Sequence, residues 1–248
     1  MIEARELFKR FGKVEALRGV SFRAPDACIT GLLGPNGAGK STTLRILYAT
    51  LAADSGAASV DGDAVSAANT EVRRRLGVLP HNAGLYPALT ARENIEYFAR
   101  LGGLYRGAAR ARTSELIELL DLQDIAARRA KGFSQGQKIR TALARALVHS
   151  PRNLILDEPT NGLDVPAVRK LRALLLRLRE HGHYILFSSH VMQEVAMLCD
   201  ESVVIAAGCV VATGTPESLR QRTGAGSFED AFVALTGDGT AGEAGDGR

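Results

Sequence analysis

One short segment constrains the fold of this chain more than any other. Residues 34–41 read GPNGAGKS and match the pattern G-x-x-x-x-G-K-[ST]. The residues before it, 28–33, predict a strand, and Leu44, Leu47 and Leu51 after it fall at helical spacing. A glycine-rich turn between a strand and a helix lets backbone N–H groups surround phosphate oxygens. A plain glycine-rich turn is the alternative, but the flanking elements favour a phosphate-binding loop.

The loop also predicts which residues hold a nucleotide. Lys40 can reach the β- and γ-phosphates, and the Ser41 hydroxyl can bind Mg²⁺. The predicted nucleotide-binding residues of this segment are Gly34, Pro35, Asn36, Gly37, Ala38, Gly39, Lys40, Ser41 and Thr42.

Two adjacent acids follow a short apolar run. Residues 154–158 read LILDE, so Asp157 and Glu158 end a predicted buried strand. Behind a phosphate loop, such an aspartate binds Mg²⁺ directly or through water. Because side chains alternate along a strand, we expect Glu158 to point the other way and to polarise an attacking water. Two solvated acids at a strand end are the alternative.

A helix start lies between these two motifs. Residues 133–137 read FSQGQ, and Ser134 with Gln137 forms a capping box that opens a helix through Leu147. Free N–H groups at such a start attract anions, and Gly136 would let a phosphate approach closely. A capped helix that binds nothing is the alternative.

The order of predicted elements indicates an α/β fold. Short apolar strands at residues 154–156 and 184–187 are typical of a parallel sheet buried on both faces, and helices alternate with them. The region 81–150 is almost wholly helical in pattern and predicts an inserted helical subdomain. Residues 237–248 contain five glycines and predict a disordered tail. Further local signals are hairpin turns at Asp61-Gly62 and Ala207-Gly208, a capping box at Thr90 and Glu93, and a helix capped by Asp164.

Composition narrows the classes of function. The chain is 46% hydrophobic and 23% charged, which is typical of a globular domain. Its net charge of +4 is spread along the sequence and does not favour a nucleic-acid-binding surface. Three cysteines without a CxxC pair indicate reduced thiols in a cytosolic protein. The longest apolar runs are far shorter than the roughly 20 residues of a membrane span, so a membrane role would require a partner.

Five motifs, each present once, resemble those of the ATP-binding subunits of ABC transporters. They are the phosphate loop, FSQGQ, the acid pair, NGLD at residues 161–164 and SSH at residues 188–190. The resemblance implies a P-loop NTPase with a RecA-like, mostly parallel sheet core, an antiparallel β subdomain and the inserted helical subdomain. The nucleotide-binding domain would span residues 2–236. The resemblance further implies ATP and Mg²⁺ as cofactors, a head-to-tail homodimer or heterodimer around two ATP molecules, and a separate multi-span membrane permease, with no nucleic-acid partner.

Individual roles follow from the same resemblance. Lys40, Glu158 and His190 are the expected catalytic residues, with Glu158 as the base, and Ser41 and Asp157 would bind Mg²⁺. Phe11 would stack on adenine with Val14 beside it, although Phe11 could instead anchor the edge of a sheet. The nucleotide bound by the partner subunit would be contacted by Ser134, Gly136 and Gln137 of this chain. Asp164 would bridge the two subunits of the dimer.

The chain departs from the family pattern at two positions. FSQGQ at residues 133–137 matches the signature of the family, and Gln135 stands where that signature usually has glycine. In LGVLPHN at residues 76–82, His81 occupies the position of a glutamine that reaches Mg²⁺ and the attacking water. Imidazole can also bind a metal or accept a hydrogen bond, so His81 is a candidate Mg²⁺ ligand, and a plain loop histidine is the alternative.

Two further segments resemble a narrower group. Residues 84–94 and 228–236 are similar to ATPases that power two-component exporters, including those for sodium, drugs and polyketides. We therefore expect an ATP-hydrolysing exporter subunit, peripheral on the cytoplasmic face of the cell membrane, with sodium as a candidate cargo. The alternatives are a soluble ABC ATPase that acts on DNA or ribosomes, and a nucleotide-dependent regulator with little turnover.

Overall fold

The strands form two sheets in the computed structural model, which describes residues 1–82 and 84–237. The strands are β1 (Ile2–Phe11), β2 (Val14–Ala24), β3 (Ile29–Leu33), β4 (Ser55–Val60), β5 (Asp63–Ala64), β6 (Leu76–Leu79), β7 (Asn153–Asp157), β8 (Tyr184–Ser189), β9 (Glu201–Ala206) and β10 (Cys209–Gly214). The helices are α1 (Lys40–Leu47), α2 (Thr70–Arg74), α3 (Ala91–Leu101), α4 (Arg106–Leu119), α5 (Gln135–Leu147), α6 (Val165–Glu180), α7 (Met192–Leu198), α8 (Pro216–Thr223) and α9 (Phe228–Thr236).

The larger sheet has the order β10-β9-β3-β8-β7-β6 and is parallel except for β10 at its edge. Every residue of β3, β7 and β8 is buried, because helices or the second sheet cover both faces. The predicted α/β fold with a mostly parallel core is confirmed. The carboxyl ends of β3, β7 and β8 meet at one edge, where open α/β sheets place their ligands.

The smaller sheet is antiparallel, with the order β2-β1-β4-β5. Its apolar face, the larger sheet and α1 share one core, in which Leu7, Leu32 and Leu44 are fully buried. Helix α1 is therefore held between two sheets, and this fixes the position of the loop that precedes it.

Helices α3, α4 and α5 lie between β6 and β7 in the chain. Their apolar faces meet in a second core, where Ile95, Leu116 and Leu143 are fully buried. The limits 81–150 for a helical subdomain stay a prediction.

Most of the local signals are confirmed. The turns at Asp61-Gly62 and Ala207-Gly208 join paired strands, and both capping boxes are formed with both hydrogen bonds. The prediction that Leu51 continues the helix after the phosphate loop is wrong. Helix α1 ends at Leu47 and the backbone of Ala49 has φ 59°, so Leu51 packs on the core from a loop.

Two other expectations concern the end of the chain and the membrane. Of the predicted disordered tail, residues 238–248 lie outside the described residues. Among the described residues, no helix is both long and apolar enough to cross a membrane.

Candidate functional site

The phosphate loop joins β3 to α1 in a conformation that requires glycine. Gly37 has φ 80° and Gly39 has φ 107°, which is the region where residues with a Cβ are strained. A Cβ at Gly39 would lie 2.7 Å from the Ala16 carbonyl oxygen, and one at Gly34 would lie 2.3 Å from that of Ile205. The start of α1 has no side-chain cap, so its N–H groups face the loop. This arrangement can bind an anion.

Lys40 is buried at the first position of α1. Its Nζ donates hydrogen bonds to the carbonyl oxygens of Gly34 (2.7 Å) and Pro35 (3.1 Å) and lies 3.8 Å from Glu158 Oε1. Burial lowers the pKa of Lys40, while the carboxylates of Glu158 and Asp157 act in the opposite direction. The ammonium group is therefore positioned inside the loop, where the phosphates of a nucleotide would lie.

The first acid, Asp157, is 2% exposed at the end of β7. Its Oδ1 accepts hydrogen bonds from Ser41 Oγ (3.0 Å) and from Ser188 Oγ (2.7 Å). A carboxylate beside a hydroxyl is a donor set that suits Mg²⁺, which takes its other ligands from phosphates and water.

The second acid, Glu158, follows β7 and has φ 50°. Its backbone N–H donates to Ser188 Oγ (2.9 Å), and its carboxylate lies near Lys40. Strand alternation does not apply to Glu158, because this residue lies beyond the strand in a left-handed conformation. Both acids are close enough to the loop to act on the charge of Lys40.

Two histidines flank the Glu158 carboxylate. His190 Nδ1 lies 3.4 Å from Oε1, and His81 Nδ1 lies 3.9 Å from Oε2. His190 follows β8 and His81 follows β6, and these strands lie on either side of β7, so both rings reach the same edge of the sheet. The expected site residues Lys40, Glu158, His190 and His81 therefore lie together.

The remaining predicted residues lie elsewhere. Ser134, Gly136, Gln137 and Asp164 line one groove of about 650 Å³ between α5 and α6, and no residue of the phosphate loop lines it. Asp164 also caps α6, accepting a 2.8 Å hydrogen bond from the Ala167 N–H.

The predicted adenine contacts lie at the turn between β1 and β2. Phe11 and Val14 are paired there and are 48% and 65% exposed, so both are available to a ligand. Lys9 Nζ lies 5.6 Å from the centre of the Phe11 ring.

Sequence reasoning assigns no role to Ser188. Its hydroxyl contacts both Asp157 and the Glu158 backbone, because Asp157 and Ser188 are paired across β7 and β8. One feature of the sequence could have indicated a role for Ser188: β7 and β8 both have polar residues at their carboxyl ends.

Comparison with known proteins decides the family. The model of the family described as ABC transporter matches residues 17–161. The chain belongs to the ABC transporter family, as an ATP-binding subunit. The similarity predicted from the five motifs is confirmed, and this ABC subunit is an ATPase coupled to transport.

Relatives of this ABC ATPase include proteins named for resistance and export. It is 36% identical to the linearmycin resistance ATP-binding protein LnrL of Bacillus subtilis (strain 168), over 96% of this chain and 76% of that protein. It is 42% identical to the ABC transporter ATP-binding protein NatA of the same organism, over 83% of this chain and 84% of that protein. It is 40% identical to the Nod factor export ATP-binding protein I of Burkholderia orbicola (strain AU 1054), over 88% and 72%.

Solved structures agree with the fold of the ABC ATPase. One, described as an ATP-binding subunit of an ABC transporter, has a TM-score of 0.86 and 28% identity, and covers 96% of this chain and 100% of its own. Another is the ATP-binding cassette MJ0796 as a dimer bound to ADP and Pi. It has a TM-score of 0.79 and 25% identity, and covers 87% of this chain and 98% of its own.

Proposed function

We propose that this chain is the ATP-hydrolysing subunit of an exporter and that Glu158 is its catalytic base. The observation that carries the proposal is the position of the Glu158 carboxylate, between Lys40 of the phosphate loop and His190. A carboxylate there can accept a proton from a water that attacks the γ-phosphate, while the loop and Lys40 hold the nucleotide.

The other residues have distinct parts in this proposal. Ser41 and Asp157 hold Mg²⁺, which neutralises charge on the phosphates when it is bound. His190 contacts the γ-phosphate. Phe11 and Val14 hold the adenine, and the remaining ATP contacts come from residues 34–42.

The proposal includes a second ATPase subunit, identical or related. The groove formed by Ser134, Gly136, Gln137 and Asp164 contains no residue of the phosphate loop of the same chain. A head-to-tail dimer would bring this groove onto the nucleotide of the partner, where the N-terminus of α5 and Gly136 suit a phosphate. The related cassette described as a dimer bound to ADP and Pi supports the presence of a second subunit.

We further propose that the dimer docks on a separate permease at the cytoplasmic face of the membrane. A groove of about 440 Å³ is lined by Pro80, Phe98 and Arg145, close to the segment that contains His81. Tyr86 lies beside it, 45% exposed and 5.3 Å from the ring of Tyr97. Tyr86 is therefore the better residue to test for docking, since Leu85 packs on the core.

Export is proposed because two relatives are named for resistance and for export. Those names concern different compounds, and sodium efflux stays a prediction from the sequence resemblance. Residues 2–236 would form the nucleotide-binding domain, with residues 81–150 as its helical subdomain.

The catalytic part of the proposal is tested by Glu158→Gln. We expect ATP binding to persist and hydrolysis to fall by at least about 100-fold. Glu180→Gln, an exposed acid at the end of α6, is the matched control and should hydrolyse ATP normally. Hydrolysis at the wild-type rate in Glu158→Gln would contradict the assignment of the base.

The transport part is tested with tagged Glu158→Gln protein, ATP and Mg²⁺, recovered from native membranes in mild detergent. We expect a multi-span membrane protein in near-equal amount, and less of it with Tyr86→Ser. Recovery with ribosomes or DNA-bound proteins, or alone, would contradict it and favour the soluble alternatives.

A further inference from the structure

His81 departs from the family pattern, and its position gives it a defined neighbour. Its Nδ1 lies 3.9 Å from Glu158 Oε2, while Oε1 of the same carboxylate lies 3.4 Å from His190 Nδ1 and 3.8 Å from Lys40 Nζ. Each oxygen of the carboxylate therefore faces its own imidazole. The distance to His81 is longer than a hydrogen bond, and catalytic hydrogen bonds are often long before substrate binds.

The Glu158 carboxylate needs such a neighbour. No hydrogen bond joins it to a described residue, although its side chain is only 12% exposed. The terminal torsion of glutamate is broad, so the backbone alone does not fix the direction of the two oxygens. Ser188 holds the backbone of Glu158, and its hydroxyl donates to Asp157 rather than to the Glu158 carboxylate.

We propose that His81 is a positioning residue for Glu158. The Nδ1–H of His81 holds Oε2, so that Oε1 stays turned toward Lys40 and His190. This inference rests on the proposed role of Glu158 as the base. It differs from the role expected from the glutamine of the family, which is to bind Mg²⁺. The predicted Mg²⁺ residues Ser41 and Asp157 contact each other, whereas the Nδ1 of His81 faces Glu158.

The two roles predict opposite results for two amide substitutions. The asparagine amide is as many bonds from Cα as Nδ1 of histidine, and the glutamine amide is as many as Nε2. The substitution His81→Asn would thus present a donor at the position that faces Glu158. The substitution His81→Gln would instead present an amide oxygen at the position expected of a metal ligand, and His81→Ala removes both possibilities.

The measurements are kcat, KM for ATP, the Mg²⁺ dependence of the rate, and the affinity for a fluorescent ATP analogue. We expect His81→Ala to lower kcat about 10- to 100-fold, as a misplaced catalytic group does, with KM, affinity and Mg²⁺ dependence unchanged. His81→Asn should recover most of the activity and His81→Gln should not. In a Glu158→Gln background, His81→Ala should have no further effect.

Two outcomes would overturn the inference. Recovery in His81→Gln but not in His81→Asn, with a shifted Mg²⁺ dependence in His81→Ala, would make His81 a metal ligand. Wild-type kinetics in His81→Ala would make it a plain loop residue. Melting temperatures should be unchanged in all three variants, because the side chain of His81 is 54% exposed, and this excludes misfolding as the cause. If Glu158→Gln is inactive while these variants are normal, only the inference about His81 fails.

Discussion

The hydroxyl of Ser188 donates a 2.7 Å hydrogen bond to Oδ1 of Asp157, across the pairing of β7 with β8. The same hydroxyl accepts a 2.9 Å hydrogen bond from the backbone N–H of Glu158. One side chain thus fixes the direction of the proposed Mg²⁺ ligand and the left-handed backbone of the proposed base. Loss of this hydroxyl should affect both acids together.

We expect Ser188→Ala to lower the free energy of unfolding by about 1–3 kcal/mol, because it removes a buried hydrogen bond to Asp157 and leaves the half-buried N–H of Glu158 without its partner. ATP hydrolysis should fall further than ATP binding, since the phosphate loop is untouched. Urea unfolding and steady-state hydrolysis measure the two effects, and Ser188→Thr, which keeps the hydroxyl, should be less severe.

Ser202→Ala is the matched control for Ser188→Ala. Ser202 is also fully buried on a strand of the same sheet, but its hydroxyl has no hydrogen-bond partner among the described residues. Its removal should leave stability equal or higher. Equal losses in the two variants would show that the hydrogen bonds of Ser188 contribute nothing specific.

The two loop glycines should differ in their effect on stability without nucleotide. Gly37→Ala meets no atom within 4 Å and costs only the strain of φ 80°, about 1–2 kcal/mol. Gly39→Ala adds a contact of 2.7 Å with the backbone oxygen of Ala16, so this variant should lose clearly more stability than Gly37→Ala. Thermal unfolding compares them, and a smaller loss at Gly39 would contradict the close approach of β2 to the loop.

Much of the site is predictable because its positions are set by short-range rules. The phosphate loop follows from glycine spacing between a strand and a helix, and the capping boxes at Thr90 and Ser134 need only local contacts. The parallel sheet then brings the ends of β3, β7 and β8 together, which places Lys40, Glu158 and His190 at one edge.

The parts that sequence patterns miss depend on tertiary structure. Strand alternation does not apply to Glu158, because Glu158 has φ 50° and its backbone N–H bonds Ser188, a residue thirty positions away in sequence. The contact of His81 with Glu158 depends on β6 pairing with β7, which no local pattern shows. Leu51 follows the helical spacing, but the chain turns at Ala49 and the loop brings it to the core.

Arg145 connects α5, the helix that begins at the signature, to the proposed docking groove. It stacks over the Phe98 ring at 4.5 Å and donates a 2.8 Å hydrogen bond to the Gly84 carbonyl oxygen. Arg145→Lys keeps the charge but loses the planar stacking and the forked donor. We expect it to weaken stimulation of ATP hydrolysis by permease-containing membranes by about 3- to 10-fold, with basal hydrolysis less affected.

Arg100→Lys is the control for Arg145→Lys. Arg100 is exposed in the last turn of α3, and its side chain makes no ion pair or hydrogen bond with the described residues. Both rates should be unchanged in this variant. If Arg145→Lys lowered basal and stimulated hydrolysis equally, its effect would be on the catalytic site rather than on coupling.

Two half-buried histidines predict how the stability of the fold depends on pH. Burial lowers the pKa of His149 and of His183 from 6.5. Each ring also hydrogen-bonds a backbone carbonyl oxygen, at Leu76 (3.0 Å) and Pro151 (2.9 Å) respectively, and this contact opposes the shift without reversing it. As pH falls below 6.5, the unfolded chain binds protons that the folded chain does not, so protonation favours unfolding. The two neutral imidazoles therefore contribute to the free energy of unfolding above pH 6.5, and this contribution is lost as pH falls toward their lowered pKa values.

We expect urea unfolding to show this loss between about pH 7.5 and about pH 5.5, and to show less of it in the double variant His149→Gln and His183→Asn. Glutamine at 149 and asparagine at 183 can each place an amide donor where Nε2 and Nδ1 now meet the carbonyl oxygens, but neither amide titrates. An equal slope in the double variant would mean that carboxylates alone cause the decline, because these two imidazoles would then bind protons equally in both states.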